Sequence, residues 1–326
     1  MTILVTGGTG YIGSHVVSLL QARGDRVVVV DDLVTGVAER IGEAPLHELD
    51  LASADAAPRL ERIMAEHGVE RVVHFAARKQ VGESMARPLW YHEQNTGGML
   101  ALLRAMRRAG VEQLVFSSSA AVYGMGRGAG RIGEADPTVP VNPYGETKLA
   151  GERIVSGMIE AGQLRATSLR YFNVAGCGED RLADRVALNL IPMVIERLLR
   201  DEAPRVFGDD YPTPDGTCIR DYVHVSDLAE AHLVALDRLA AGEPLSRAYN
   251  VGTGRGSSVL EVVQAVREAS GRDIAPVVVE RRPGDPPELV GDVELIRREL
   301  GWTARLGLAE MASSAWRAMS ARAAEG

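Results

Sequence analysis

A doubly wound α/β fold, with helices on both faces of a parallel sheet and a smaller second lobe, is what this 326-residue sequence predicts. Three observations carry that prediction. Apolar runs of strand length alternate with helical stretches through the first half, in the order β-α-β-α-β-α-β. A glycine triplet, Gly7, Gly10 and Gly13, falls between the first run and the first helix. After residue 172 the regular alternation breaks down, as expected of a lobe of different build. The expected division is 1–172 plus 219–245 for the larger domain and 173–218 plus 246–326 for the smaller C-terminal α/β lobe.

Taken in order, residues 3–5 read as a buried parallel strand, residues 14–23 as a helix stopped by Gly24, and residues 27–30 as a second strand ending at Asp31-Asp32. Glycines at that first turn let the backbone bend tightly, approach a pyrophosphate and pack the helix on the sheet. The free N–H groups of the helix N-terminus favour the anion. The spacing is GxxGxxG, and its setting between strand and helix, with an acid at the next strand's end, reads as a Rossmann-type dinucleotide unit. Asp31 can accept from a ribose hydroxyl and would repel a 2′-phosphate, which favours NAD over NADP. Residues 46–49 form another strand-like stretch before Asp50-Leu51. Asp50 either accepts from the adenine amino group or caps the helix that follows. The strand at 72–77, VVHFAA, brings Phe75, Ala76 and Ala77 to the cofactor side, and Lys79 can reach the ribose of the nicotinamide half. Asn95 lies near the start of a long helix through residue 108, and residues 114–117 form the strand that ends in the serine run.

The middle of the chain carries the chemistry. Ser119 supplies a hydroxyl, and Tyr144 and Lys148, four apart, share one face of a helix. A tyrosine is too weakly acidic to be a base at neutral pH. A unit charge about 6 Å away, at an effective dielectric of about 20, favours the phenolate by about 2.8 kcal/mol, or about 2 pK units. A second cation, such as an oxidised nicotinamide ring, adds a comparable shift and brings Tyr144 towards neutrality. Taken alone, Tyr-x-x-x-Lys also occurs by chance on surface helices.

Composition narrows the functional classes. Apolar content of 46% and charged content of 25% are those of a globular protein. A net charge of −8 with no basic block argues against nucleic acid and against an anionic membrane surface as partners. Cys177 and Cys218 have neither disulfide nor metal spacing, and no metal site is expected. His224 and His232 read as structural. The opening MTILVTGGTG enters a strand directly, and no run of 18 apolar residues occurs, so a cytoplasmic protein is expected. In the second half, residues 169–172 form a strand ending at Asn173, residues 221–235 a strand and helix, residues 249–253 a strand and turn, and residues 259–269 a helix. Residues 297–326 read as mostly helical. Arg220 and Arg282 either grip a diphosphate or make surface salt bridges.

GGTGYIGS, Asp31, HFAA, SSSAAVYG and Tyr144-x-x-x-Lys148 together resemble the extended short-chain dehydrogenase/reductase family. Within it, KQVGESMARPLWYHEQN, LRYFNVAG, FGDDYPTPDGTCIRDYVHV and RRPGD resemble the UDP-glucose (UDP-galactose) 4-epimerase family, nearly end to end. The resemblance makes Ser119, Tyr144 and Lys148 the catalytic triad. It makes Gly7, Gly10, Gly13, Tyr11, Ile12, Asp31, Asp32, Asp50, Leu51, Phe75, Ala76, Ala77, Lys79, Asn95, Ser117 and Phe172 cofactor contacts, with Tyr144 and Lys148. Asn173, Asn189, Leu190, Val206, Phe207, Arg220, Arg282, Asp285 and Leu289 then contact the nucleotide sugar, with Lys79, Ser119 and Tyr144.

The chemistry implied is inversion at C4 of a UDP-hexose, with NAD as a tightly held cofactor. Tyr144 removes the C4 proton, hydride passes to NAD, and the 4-keto sugar turns over while its UDP stays anchored, so that hydride returns to the other face. Sugar-nucleotide dehydratases carry Asp-Glu after the catalytic hydroxyl residue, and uronate decarboxylases a Glu. Here those positions are Ala120 and Ala121. Leu289 stands at the family's pocket-size position and is intermediate between a narrowing tyrosine and a small residue. UDP-glucose and UDP-galactose are favoured, with the GlcNAc/GalNAc pair or UDP-uronic acids as alternatives. A non-catalytic dinucleotide sensor and a simple NAD-dependent reductase are the readings from other classes. The family's homodimers use two helices per subunit, here 95–108 and 144–161, with Leu100, Leu103 and Met106 either in that seam or facing the sheet.

Overall fold

The computed structural model describes residues 1–126, 130–185, 189–282 and 284–325, so Pro283 of the RRPGD stretch lies outside the described residues. The chain forms two compact units. One comprises Met1–Gly124, Pro137–Arg170 and Ala229–Tyr249, and the other Met125–Asp136, Tyr171–Leu228 and Asn250–Gly326. The strands are β1 (Thr2–Thr6), β2 (Arg26–Asp31), β3 (Leu46–Glu48), β4 (Arg71–His74), β5 (Gln113–Ser117), β6 (Arg165–Tyr171), β7 (Asn173–Ala175), β8 (Arg205–Phe207), β9 (Ile219–His224), β10 (Ala248–Val251), β11 (Gly256–Ser258), β12 (Val277–Val279) and β13 (Glu288–Leu289). The helices are α1 (Tyr11–Ala22), α2 (Ala56–His67), α3 (Val81–Ala86), α4 (Pro88–Tyr91), α5 (Gly98–Ala109), α6 (Pro143–Glu160), α7 (Leu190–Leu199), α8 (Val225–Ala240), α9 (Val259–Ser270), α10 (Glu294–Leu300) and α11 (Leu308–Glu325).

Seven strands make the main sheet in the order β10-β6-β5-β4-β1-β2-β3, and every pairing from β6 across to β3 is parallel. Such strands are covered on both faces, which is why β1 (TILVT) is buried throughout and β2 (RVVVVD) nearly so. One face packs on α2, α5 and α6 through Leu60, Met64, Leu102, Met106 and Val155, against Leu4, Val28, Val72 and Leu114 of the strands. The winding reverses between β1 and β4, and the carboxyl ends of strands at such a reversal are where open α/β sheets bind ligands.

Several expected boundaries move, each for a local reason. The strand expected to reach Ala77 stops at His74, because the N–H groups of Phe75 and Ala76 both donate to the Thr6 carbonyl, at 2.9 and 3.1 Å, and curl the chain over the glycine turn. Asn95 lies ahead of the α-helix rather than in it, within a π-helical turn over His92–Gly97. The closing helical stretch divides into α10 and α11. Between them the Trp302 indole donates to the Asp227 carbonyl at 3.0 Å, and the Arg305 and Leu306 N–H groups to its carboxylate at 2.9 Å. On α5, Leu103 and Met106 belong to the sheet core, and Leu100 faces outward.

In the second unit β9 pairs with β7, β11 and β13, while β8 pairs with β12. Helices α7, α9 and α11 close its core through Ile195, Leu198, Val262, Val266 and Met311. Asp221 of β9 is buried and its carboxylate accepts from the N–H groups of Thr253, Gly254 and Gly291, at 2.8, 3.0 and 3.2 Å, tying the turn after β10 to the segment after β13. The stretch Met125–Asp136, assigned to the larger domain from the sequence, goes with this unit. Ile132 exchanges backbone hydrogen bonds with Val290 and Asp292, both 2.8 Å, and its carbonyl accepts from the Asn250 amide at 2.7 Å.

The turn after β1 leaves no room for side chains. A Cβ on Gly13 would lie 2.2 Å from the Gly7 carbonyl oxygen, and one on Gly7, whose φ is +73°, would lie 2.6 Å from the Ala76 nitrogen. Both clashes are with backbone, which cannot step aside. Gly13→Ala is therefore expected to lose about 1–3 kcal/mol of stability. Urea unfolding at matched NAD checks this, and a wild-type midpoint would refute it.

Candidate active site

Helix α6 begins where Asn142 accepts from the Gly145 N–H at 2.9 Å and Pro143 takes the first helical position. It lies close against the end of β5. A Cβ on Gly145 would come within 2.7 Å of the Ala121 carbonyl oxygen, and one on Gly151 within 2.7 Å of the Phe116 ring. That closeness buries Tyr144 and Lys148. Lys148 Nζ donates to the Ser117 carbonyl at 2.7 Å and lies 5.2 Å from the centre of the Phe116 ring and 5.9 Å from that of Tyr144. Ser119 has an extended backbone, its Oγ accepts from the Ala121 N–H at 3.2 Å, and its hydroxyl is hydrogen-bonded to the Tyr144 phenol. The structure thus brings the three residues expected to act together into one group, in which Tyr144 and Lys148 are buried and Ser119 is half-buried.

The electrostatics correct one expectation. Burial pushes the Tyr144 phenol above its ordinary value, and the Ser119 hydrogen bond only partly opposes it. The lowering expected from Lys148 does not outweigh desolvation in the protein chain by itself. Burial lowers the Lys148 amine to about 7, opposed by the Glu152 carboxylate. His74 is driven down to about 3 by burial and by the Lys148 charge, so it stays neutral, with Nδ1 2.6 Å from the Thr6 hydroxyl.

The cofactor candidates gather at the carboxyl ends of β1, β2 and β4. Gly7, Gly10 and Gly13 make the side-chain-free cradle, with Tyr11 buried and Ile12 half-buried at the start of α1. Asp31 accepts from the N–H groups of Thr9 and Leu33, both at 3.0 Å, which anchors it to the glycine turn. Each of its oxygens keeps a lone pair for a hydroxyl. Asp50 does not cap a helix: it accepts from the Ala52 N–H at 2.8 Å, a local turn, while Asp55 precedes α2. Leu51 packs into the sheet core. Phe75 packs against His232, their rings 4.7 Å apart, and Lys79 is exposed. Asn95 spends its side chain on the protein. It accepts from the Arg78 N–H at 2.7 Å and donates to the Arg78 carbonyl and the Thr147 hydroxyl, both at 3.0 Å, so it fixes the loop that carries Lys79.

Arg78 is a residue the sequence reading missed. It pairs with Asp32 at 2.5 Å and with Gln94, joining the loops after β4 and β2. The signal was the second acid of Asp31-Asp32, opposite an arginine just before Lys79.

In the second unit, Asn173 opens β7 and Asn189 immediately precedes α7, both exposed. Leu190, Phe207 and Leu289 are half-buried, and Phe172 packs on Gly291, where a Cβ would lie 2.5 Å from its ring. Val206 is wholly inside the core, so its side chain is not presented to a ligand as expected. Arg220 pairs with Asp285 at 3.4 Å. Arg282 lies over the Phe207 ring at 3.9 Å, with its guanidinium exposed. Among the described residues no cluster of three metal-ligating side chains occurs, Cys177 and Cys218 are buried and not joined in a disulfide, and no helix is long and apolar enough to cross a membrane. His224 is structural, its ring 3.1 Å from the Ser314 hydroxyl.

The Lys148 shift fixes a sign. The unfolded chain holds this proton up to about 10.5 and the native chain releases it near 7, so between those values the unfolded state binds more protons and stability rises with pH. The stability of wild type relative to Lys148→Met is therefore expected to grow between pH 7 and pH 9. Urea titrations at both values check it, and an unchanged difference would refute the depressed amine.

Residues 3–252 match the NAD dependent epimerase/dehydratase family. The UDP-glucose 4-epimerase of Azospirillum brasilense is 48% identical over 305 residues, 92% of this chain and 86% of that protein. A crystal structure of UDP-glucose-4-epimerase from Stenotrophomonas maltophila, with bound NAD and formylated UDP-arabinopyranose, superposes with a TM-score of 0.93 at 41% identity, over 100% of both chains. The UDP-Glc/GlcNAc 4-epimerase of Campylobacter jejuni gives a TM-score of 0.85 at 35% identity, over 98% of this chain and 99% of that one. With its glycine cradle, buried tyrosine and lysine, and a match across most of its length, the chain belongs to the NAD dependent epimerase/dehydratase family.

Proposed function

We infer that this protein is an NAD-dependent 4-epimerase that interconverts UDP-galactose and UDP-glucose. The observation that carries the reading is the grouping of buried Tyr144 and Lys148 with half-buried Ser119, on the same unit as a turn that side chains would fill. Relatives called UDP-glucose 4-epimerase at 42–48% identity support it.

The fit to NAD rests on the cradle of Gly7 and Gly13 and on Asp31, which together take a pyrophosphate and a ribose hydroxyl. When bound, NAD would supply a reversible hydride acceptor for the sugar's C4. The chain's own residues manage the proton. Tyr144 takes it from the C4 hydroxyl and later returns it, Ser119 steadies the phenol oxygen through its hydrogen bond, and the Lys148 ammonium favours the ionised form. Arg220 and Arg282 grip the diphosphate, for which a planar guanidinium is suited. Ala120 and Ala121 carry no acid for dehydration or decarboxylation, which leaves epimerisation as the chemistry these residues would serve. Leu289, half-buried and intermediate in size between a tyrosine and a small residue, leaves the N-acetylated pair as the alternative substrate.

The protein is proposed to be cytoplasmic and a homodimer. Val81, Met85, Leu89 and Leu100, on α3, α4 and α5, are exposed apolar side chains suited to a subunit seam. Size-exclusion chromatography with light scattering reads the assembly, and a monomeric mass at micromolar concentration would remove it.

Incubating the purified protein with UDP-galactose and no added NAD is expected to yield UDP-glucose by NMR; no product even with NAD supplied would sink the assignment. Conversion of UDP-GalNAc in a parallel sample would establish the alternative substrate. Tyr144→Phe should lose at least about 100-fold in kcat while still binding UDP, and a near-wild-type rate would remove Tyr144 as the base. Asp31→Ala should come off a desalting column with less NAD than wild type; equal retention would remove its ribose role.

A further inference from the structure

Tyr144, Lys148 and Glu152 follow one another at four-residue steps along one face of α6. Glu152 is 9% exposed and Arg170, on β6, 7%. Arg170 Nε donates to Glu152 Oε1 at 2.9 Å and Nη2 to Oε2 at 2.6 Å, a two-pronged pair, while Nη1 donates to the Tyr123 hydroxyl at 2.9 Å. The Ser118 hydroxyl donates to the same Oε1 at 2.5 Å. A buried ion pair adds little stability over apolar side chains of similar volume, so its place one turn from Lys148 asks for a chemical reason.

Ser118 stands between Ser117, whose carbonyl accepts from Lys148, and Ser119, whose hydroxyl meets Tyr144. A carboxylate that grips Ser118 fixes both neighbours. Its charge also faces the ammonium. Around Lys148 stand His74 from β4, held neutral, the Phe116 ring and Ser117 carbonyl from β5, Tyr144 and Glu152 from α6, and Arg170 from β6 beyond Glu152. Among these groups Glu152 is the carboxylate, and Arg170 balances it.

We propose that Glu152, set by Arg170, is a positioning residue for the reaction: it holds the serine turn at 117–119 and supplies the counter-charge that faces Lys148. This rests on the epimerase reading above. The two partners then act on Lys148 with opposite sign. Glu152→Gln keeps the shape and an acceptor for Ser118 but leaves Arg170 an uncompensated cation. Arg170→Gln leaves Glu152 uncompensated instead.

The test is the pH dependence of kcat with UDP-galactose for wild type and both variants, with KM and the thermal midpoint measured alongside. Because Lys148 must be charged, the alkaline limb reports loss of its proton. That limb is expected to fall by about 1 pH unit in Glu152→Gln and to rise in Arg170→Gln, with KM within about twofold. Glu152→Asp, which keeps the charge, should leave the limb in place while lowering kcat; a limb that moves as in Glu152→Gln would overturn the charge role. A merely structural pair would lower midpoint and rate in both variants without moving the limb, and that result overturns the proposal. Wild-type turnover with unmoved limbs sinks this inference alone, whereas a wild type without turnover sinks the epimerase reading with it.

Discussion

The buried ammonium of Lys148 is the constraint from which much of the first unit follows. A cation taken out of water needs close acceptors and an electron-rich wall. Here the Ser117 carbonyl, the Phe116 ring and the Glu152 carboxylate provide them. Each demands something of the chain. The carbonyl must be at the free end of a strand, the ring needs glycine at 151 to let the helix approach, and the carboxylate needs an arginine of its own. The neutral imidazole of His74 completes the enclosure without adding charge.

The second unit is arranged around the opposite charge. Asp221 is as deeply buried as Lys148 and is held by backbone N–H groups from two separate segments. Burial still raises its carboxyl above the ordinary range, so desolvation outweighs even these donors. In both units, then, one interior charge draws loop backbone inward and fixes where strands stop. Buried charge here works as a register device for loops, a role that apolar packing cannot perform because it has no direction.

The larger sheet was legible because parallel strands buried on both faces are written as unbroken apolar runs, as at Val27 to Val30, and because a glycine turn is unmistakable in that setting. The triad was legible for a similar reason: helical spacing brings Tyr144 and Lys148 together before any tertiary contact is known. What the sequence concealed were decisions made by partners far along the chain. Whether Leu103 faces a sheet or a subunit depends on the roll of α5, which its own pattern leaves open. Val206 looks like any strand valine and is fixed in the core by a cluster drawn from α7, α9, α11 and the strands β7 and β9. Asn95 shows no sign in sequence that both ends of its amide are taken by Arg78 and Thr147. The rise in the Tyr144 phenol was also hidden, because spacing gives the distance to a charge but not the water lost on burial.

The ladder of Tyr144, Lys148 and Glu152 also limits how this protein can change over evolutionary time. Each residue of an α-helix turns the chain by about 100°, so inserting or deleting one position between 144 and 152 would swing part of the ladder to another side. Substitutions in that stretch alter one rung, but length changes dismantle the whole device. The loop ahead of α6 and the turn behind it are free of that arithmetic. Variation in length among descendants of this chain should therefore collect outside the helix, leaving α6 as a ruler whose divisions are inherited together.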